Sequence, residues 1–285
     1  MAGADPPGAT TSQARGELAL RVGSAIVLVP LAIGAAYAGG WPFAIFWSIA
    51  ALGVAWEWCT MIAAGRPALV TGLAALALAG TLMPAHPAAA CALVLCGAAA
   101  AALLAAPPQD GHARSAWAAA GVVYAGAVLV APIALRADAS LGFAALLFLF
   151  AIVWATDIFG YFVGRWLGGP KLWPAVSPKK TWSGALGGAF GALVGGTSVA
   201  AFTPTANLFA IAALALLLSA VSQAGDLFES AVKRRFGVKD ASHVIPGHGG
   251  LMDRLDGFVV AAVVAAMIGV ARSGLANPAR GLLAW

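Results

Sequence analysis

Nine runs of apolar residues, each close to the length of a helix that crosses a bilayer, occupy positions 22–40, 43–64, 67–84, 88–106, 116–136, 141–164, 184–203, 206–232 and 257–272. Little is left between them from which to build a wetted surface: 61% of the 285 residues are hydrophobic and only 9% are charged. A soluble globule is excluded on that ground. A membrane barrel is excluded too, because the runs are apolar on every face and lack the alternation of a strand with lipid on one side and water on the other. Hydrocarbon strands any unpaired backbone group, so the helix is the remaining solution. The expected fold is an all-α, polytopic membrane bundle of about nine transmembrane helices.

The chain divides accordingly into a disordered cytoplasmic tail (1–21), a first set of spans (22–136), a second set (141–272) interrupted by charged loops at 165–183 and 233–256, and a short C-terminal tail (273–285). No cleaved signal peptide is expected, since the polar leader from Gly3 to Glu17 is not followed by a short apolar core and a small-residue cleavage site. Cys59, Cys91 and Cys96 all lie inside apolar runs, which makes them buried filler rather than disulfide partners or metal thiolates. Gly184, Gly187, Gly188 and Gly191 mark a face where two helix backbones approach closely.

Lysine and arginine set the orientation. With the N-terminus in the cytoplasm, one side carries Arg15, Arg21, Arg66, Arg114, Arg165, Lys171, Lys179, Lys180, Lys233, Arg234, Arg235, Lys239 and Arg254, and the other only Arg136, Arg272 and Arg280. Both charged loops then face the cytoplasm. So do four acids inside the apolar runs, Glu57, Asp157, Asp226 and Glu229, each near the cytoplasmic end of its span. An ionisable group at membrane depth is expensive and usually faces a partner or a cavity. On the eighth run Ser222, Asp226, Glu229, Ser230 and Lys233 fall at helical spacing and make one polar stripe that leads into the loop at 233–256.

That loop is dense in chemistry for so apolar a chain. Lys233, Arg234, Arg235, Lys239, Asp240, His243, His248, Asp253, Arg254 and Asp256 crowd between two apolar runs. Gly247, Gly249 and Gly250 around His248 permit backbone turns that present N–H groups to an anion, and a helix starting just afterwards adds its positive end. Asp253 and Asp256 stand three apart at the start of the ninth span, and with Asp226 they offer the oxygen ligands that Mg²⁺ prefers. His248 either donates to a phosphate oxygen or shapes its turn, the former being the favoured reading; His86, His112 and His243 read as solvated loop residues, and Glu57 is equally a structural partner or a pocket-lining acid.

The run Ser230, Lys233-Arg234, Lys239-Asp240, Ser242, Ile245-Pro246, His248-Gly249-Gly250, Asp253-Arg254 and Asp256 resembles the signature of the phosphatidate cytidylyltransferases, also called CDP-diacylglycerol synthases. Asp157 to Arg165, Lys171-Leu172, Pro174, Ser177-Pro178-Lys179-Lys180-Thr181-Trp182 and Ser222-Gln223 with Gly225-Asp226-Leu227 are similar to further segments of that family, so the likeness is strong from about 150 to 260. Trp56-Glu57-Trp58 is similar to an acidic-aromatic element of its early helices. Ser183, where the family often has Glu, and Ala241-Ser242-His243, in place of an aromatic-Gly-Asn sequence, depart from it.

The resemblance implies transfer of a cytidylyl group from CTP to phosphatidic acid, giving CDP-diacylglycerol and pyrophosphate, by an enzyme of the bacterial cytoplasmic (inner) membrane whose active site faces the cytoplasm. It implies a homodimer, Mg²⁺ with or without a second cation, and no nucleic-acid partner. Asp226 and Asp253 would hold the metal, with Asp256 or Glu229 as further ligands, and Lys233, Arg234 and Lys239 would receive the CTP phosphates with Gly249 and Gly250. Ser177, Lys179, Lys180 and Thr181 would hold the lipid phosphate or the nucleotide, and Asp240, His248 and Arg254 complete the substrate-binding set. Two rivals share the same features: a proton- or cation-coupled transporter, which also buries carboxylates in a polytopic bundle, and a CTP-using transferase or kinase for another membrane lipid such as a polyprenol.

Overall fold

The computed structural model describes residues 11–107, 113–203, 207–242, 244–245 and 249–285. In chain order α1 (Thr11–Ala38), α2 (Gly40–Met61), α3 (Arg66–Leu82), α4 (Pro87–Leu103), α5 (Arg114–Arg136) and α6 (Gly142–Leu167) lead to a hairpin of β1 (Lys171–Trp173) and β2 (Ser177–Thr181). After it come α7 (Trp182–Ala200), α8 (Leu208–Arg235), α9 (Met252–Ser273) and α10 (Pro278–Leu283). Among the described residues five helices, α2, α5, α6, α8 and α9, are long and apolar enough to cross a membrane, with shorter apolar stretches at Ile26–Ala38, α3 and α4. The helical membrane bundle expected from the apolar runs is therefore present, and among the described residues length and composition confirm five of the nine expected spans. The reason is local: α3 and α4 have 17 residues each, and glycine interrupts the apolar surface of α7.

Three boundaries differ from expectation. Helix α1 begins at Thr11, inside the segment expected as a tail, because Gln13, Ala14, Glu17, Leu18, Ala19 and Leu20 are good helix formers and extend an existing helix without a new nucleus. The loop at 165–183 contains an antiparallel pair, Lys171 opposite Thr181 and Trp173 opposite Ser177. The segment after residue 273 is docked rather than loose: α10 lies so close on α9 that a Cβ on Gly269 would run into the Pro278 carbonyl oxygen.

Stacked rings tie helices together, and one pair, Trp47 with Phe258, joins the two halves of the chain. Trp47 of α2 lies on Phe258 of α9 at 5.1 Å between centroids, Phe258 lies on Phe150 of α6 at 5.4 Å, and Trp58 lies on Tyr124 of α5 at 5.3 Å. Each such pair contributes about 1 kcal/mol beyond the area it covers. Lipid supplies no hydrophobic drive between helices, so close backbone contact does the rest. It recurs along α6 and α7, where a Cβ on Gly188 would meet the Thr156 carbonyl oxygen at 2.8 Å and one on Gly191 the Ala155 carbonyl oxygen at 2.8 Å. Between α8 and α9, a Cβ on Gly225 would lie 2.8 Å from the Asp256 carbonyl oxygen and one on Gly257 would lie 2.5 Å from Ser222 Oγ. That crossing sets Asp226 beside Asp256.

Candidate active site

Successive residues of a strand point to opposite faces, and β2 uses this to separate its two lysines. Lys179 is exposed, while the half-buried Lys180 turns inward and donates to Asp226 Oδ2 on α8. Thr181, expected to touch substrate, is buried at the N-cap of α7, where its Oγ1 accepts from the Gly184 amide at 3.1 Å. Its role is to start a helix, as a Thr in that position does. Ser177 stands at the other end of the strand, half-buried.

Two turns further along α8, Lys233 is buried between two carboxylates: its Nζ is 2.6 Å from Glu229 Oε2 and 2.5 Å from Asp253 Oδ1 on α9. Glu229 is wholly buried. Lys233 was expected to receive CTP phosphates and Asp253 and Glu229 to bind metal; the fold instead commits the three to each other, since a buried charge without a partner is far more costly than a pair. Asp253 Oδ2 also accepts from the Ala241 amide at 3.1 Å and the Gly250 amide at 2.8 Å.

The glycine turn follows the same logic. Gly249 has φ +81, a conformation open to glycine, and a Cβ there would lie 3.1 Å from Asp253 Oδ2. The Gly250 amide, expected to face a phosphate, is taken by Asp253, and the next two amides, Leu251 and Met252, donate to Glu57 Oε1 at 2.8 Å and Oε2 at 2.7 Å. The anions in the α9 N-terminal cradle are thus the protein's own carboxylates. His248 and Gly247 lie outside the described residues.

Asp226, Asp256 and Asp157 form a second acidic group. The charges acting on Asp256 are those of Asp226, Glu229 and Asp157, and those acting on Asp157 are Asp226, Lys180 and Arg254. Among the described residues the only hydrogen bond to the Asp256 carboxylate comes from the Gly257 amide to Oδ1, at 2.7 Å. Arg254, Lys239 and Asp240 are exposed; Arg234 is exposed too and donates to the Val238 carbonyl oxygen at 3.0 Å. Sequence reasoning passed over Tyr124, whose buried hydroxyl has no hydrogen-bond partner among the described residues and feels the charges of Asp256, Glu229 and Asp226. Nothing local to Tyr124 in an alanine-rich run signals this, because only the packing of α5 on α8 and α9 creates it.

Carboxylates outnumber ammonium groups in this pocket, which is the electrostatic setting of a cation site. Among the described residues no group of three or more His, Cys, Asp or Glu side chains is gathered closely enough to count as a preformed metal cluster. Two hard oxygen donors, Asp226 and Asp256, nevertheless lie near enough for their charges to act on each other, as suits a metal that completes its shell with water and substrate phosphates.

The profile of the Cytidylyltransferase family matches residues 19–271 of this chain. A phosphatidate cytidylyltransferase of Brucella abortus biovar 1 (strain 9-941) is 42% identical over 254 residues, covering 88% of this chain and 93% of that protein. One from Brucella suis biovar 1 (strain 1330) gives the same figures, 42% over 254 residues. A phosphatidate cytidylyltransferase of Staphylococcus aureus (strain COL) is 44% identical over 115 residues, 40% of this chain and 44% of that protein. Matched over nearly its whole length, the chain belongs to the Cytidylyltransferase family.

Proposed function

We propose that this protein transfers the cytidylyl group of CTP to phosphatidic acid, in a bacterial inner membrane and with the pocket open to the cytoplasm. A phosphate oxygen of the lipid forms a bond to the α-phosphorus of CTP while the bond from that phosphorus to the bridging oxygen of the β-phosphate breaks, and pyrophosphate leaves. The single observation that carries the reading is the convergence of Asp226 and Asp256 with Lys180 and Arg254 at one end of an apolar bundle. The likeness to the Brucella protein over 88% of the chain supports the choice of substrates.

Reactions of this kind need positioning and charge stabilisation rather than a protein nucleophile. Asp226 and Asp256 would hold Mg²⁺, which when bound neutralises developing charge on the phosphates and leaving group. Lys180, already poised over Asp226, is within reach of any phosphate brought there, and the exposed Lys179, Arg234, Lys239 and Arg254 draw anions to the pocket mouth. Lys233 stays with Glu229 and Asp253 and holds α8 against α9. The homodimer implied by the family resemblance belongs to the same proposal.

The test is production of CDP-diacylglycerol and pyrophosphate by the purified protein from CTP and phosphatidate, with Mg²⁺ present and then removed by chelation. Product that appears only with metal supports the reading. Turnover unaffected by chelation would remove the metal from it, and absence of product, with a polyprenol accepted instead, would replace the substrate.

A further inference from the structure

Helix α9 carries Asp256, which the proposed reaction uses, and Asp253, which ties α9 to Lys233, and it lacks a cap of its own: its N-cap residue is Leu251, with no side-chain hydrogen bond. The missing acceptor comes from across the fold. Glu57, near the end of α2 and only 1% exposed, takes the Leu251 amide on Oε1 and the Met252 amide on Oε2, bridging separations of 194 and 195 residues. A carboxylate at this place satisfies free amides and meets the positive end of the helix dipole.

The surroundings are shaped for that contact. A Cβ on Gly250 would lie 2.9 Å from both Glu57 oxygens, and one on Gly53, a turn earlier on α2, would lie 2.8 Å from Leu251 Cδ2. Ser242 Oγ donates to Glu57 Oε1 at 2.5 Å, and its neighbour Ala241 gives its amide to Asp253. Glu57 therefore holds both the loop before α9 and the first turn of α9, the two pieces of backbone that bracket Asp253.

We propose that Glu57 is a positioning residue: from the N-terminal half of the chain it fixes the start of α9 and with it the bearing of Asp253 and Asp256. The inference rests on the cytidylyl-transfer reading, because only there does Asp256 have a reaction to serve. It assigns Glu57 to the support of the pocket and not to its lining.

The experiment pairs amide hydrogen exchange with steady-state kinetics on Glu57→Gln, which keeps the size and removes the charge and one acceptor. Exchange is expected to quicken in peptides covering 240–256 and to stay at the wild-type rate elsewhere, while kcat falls about 100-fold, the usual cost of misplacing a reacting group by about 1 Å, with KM for CTP within about threefold. Ser242→Ala, which removes one of the bonds, is expected to move both readings the same way by a smaller amount and serves if Glu57→Gln does not fold. Unchanged exchange at 240–256, or quickened exchange there with unchanged kcat, would overturn the proposal, and so would a rise spread over the whole chain. A wild-type protein without CTP turnover would sink the function reading instead, leaving the exchange data to decide whether the clamp exists.

Discussion

At the end of the bundle where α8 gives way to α9, lysines sit on carboxylates: Lys180 on Asp226, Lys233 on Glu229 and Asp253. At the opposite end, where α5 gives way to α6 and α9 to α10, charged groups sit on backbone. Arg136 donates to the carbonyl oxygens of Ala36 at 2.6 Å and Tyr37 at 3.1 Å, closing the turn from α1 to α2. Arg272 donates to Gly281 and Ala284 and lies 3.5 Å over the Trp285 ring, while Asp138 takes the amides of Ser140, Leu141 and Arg280. A charge satisfied by fixed amides and carbonyls is a fastening. A charge satisfied by another charge at a partly exposed place, as Lys180 is by Asp226, is a pairing that an incoming metal or phosphate is able to rearrange, while the buried Lys233 trio ties α8 to α9 beside it. An alternating-access transporter would need groups of the second kind at both ends, and among the described residues they gather at one.

The comparison breaks first on Asp226. Asp226→Asn is expected to lower CTP turnover about 1000-fold, in line with the loss of a charge-stabilising group, while circular dichroism and thermal unfolding stay near wild type; retained turnover would mean that the reactive end lies elsewhere. Lys233→Met should act on stability instead, by about 3 to 5 kcal/mol, because it leaves Glu229 and Asp253 buried without a cation. A thermal shift assay reads this, and a stability-neutral result would show that the trio is not held as described. Gly188→Ala, which drives a methyl group against the Thr156 carbonyl oxygen, is expected to cost about 1 to 3 kcal/mol and to loosen α6 from α7.

The fastening end should respond weakly and without effect on chemistry. Arg272→Met is expected to cost about 1 kcal/mol through its lost bonds to carbonyl oxygens and to leave kcat unchanged. The smallest effect concerns acid. Burial pushes Asp138 up, but hydrogen bonds from Leu141, Ser140 and Arg280 outweigh it and hold the carboxyl below its ordinary value of 3.8. A lowered folded-state value means stability that is full at neutral pH and is lost only as pH falls below 3.8. Asp138→Asn should therefore lie below wild type in unfolding temperature at pH 7 and converge with it in acid.

Much of this was legible beforehand. The apolar runs dictated a helical membrane bundle, the glycines at 184–191 announced a close helix contact, and the polar stripe on α8 pointed to the pocket, since each is a matter of local composition and period. Partner choice was not legible. Lys179 and Lys180 are indistinguishable until a hairpin sends them to opposite faces, and Thr181 reads as a substrate ligand until α7 begins behind it. The glycine turn reads as a phosphate cradle until Asp253 and Glu57 are seen to fill it.

What the sequence determined by itself was therefore the solvent this chain folds in, the kind of element it forms there and the stretch that carries its chemistry. Which carboxylate meets which amide or ammonium group was decided only when α2, α5, α8 and α9 packed. Hydrophobic burial and backbone pairing depend on neighbours in sequence, whereas a buried charge takes the nearest complement in space, and for Glu57 that complement lies 194 residues away.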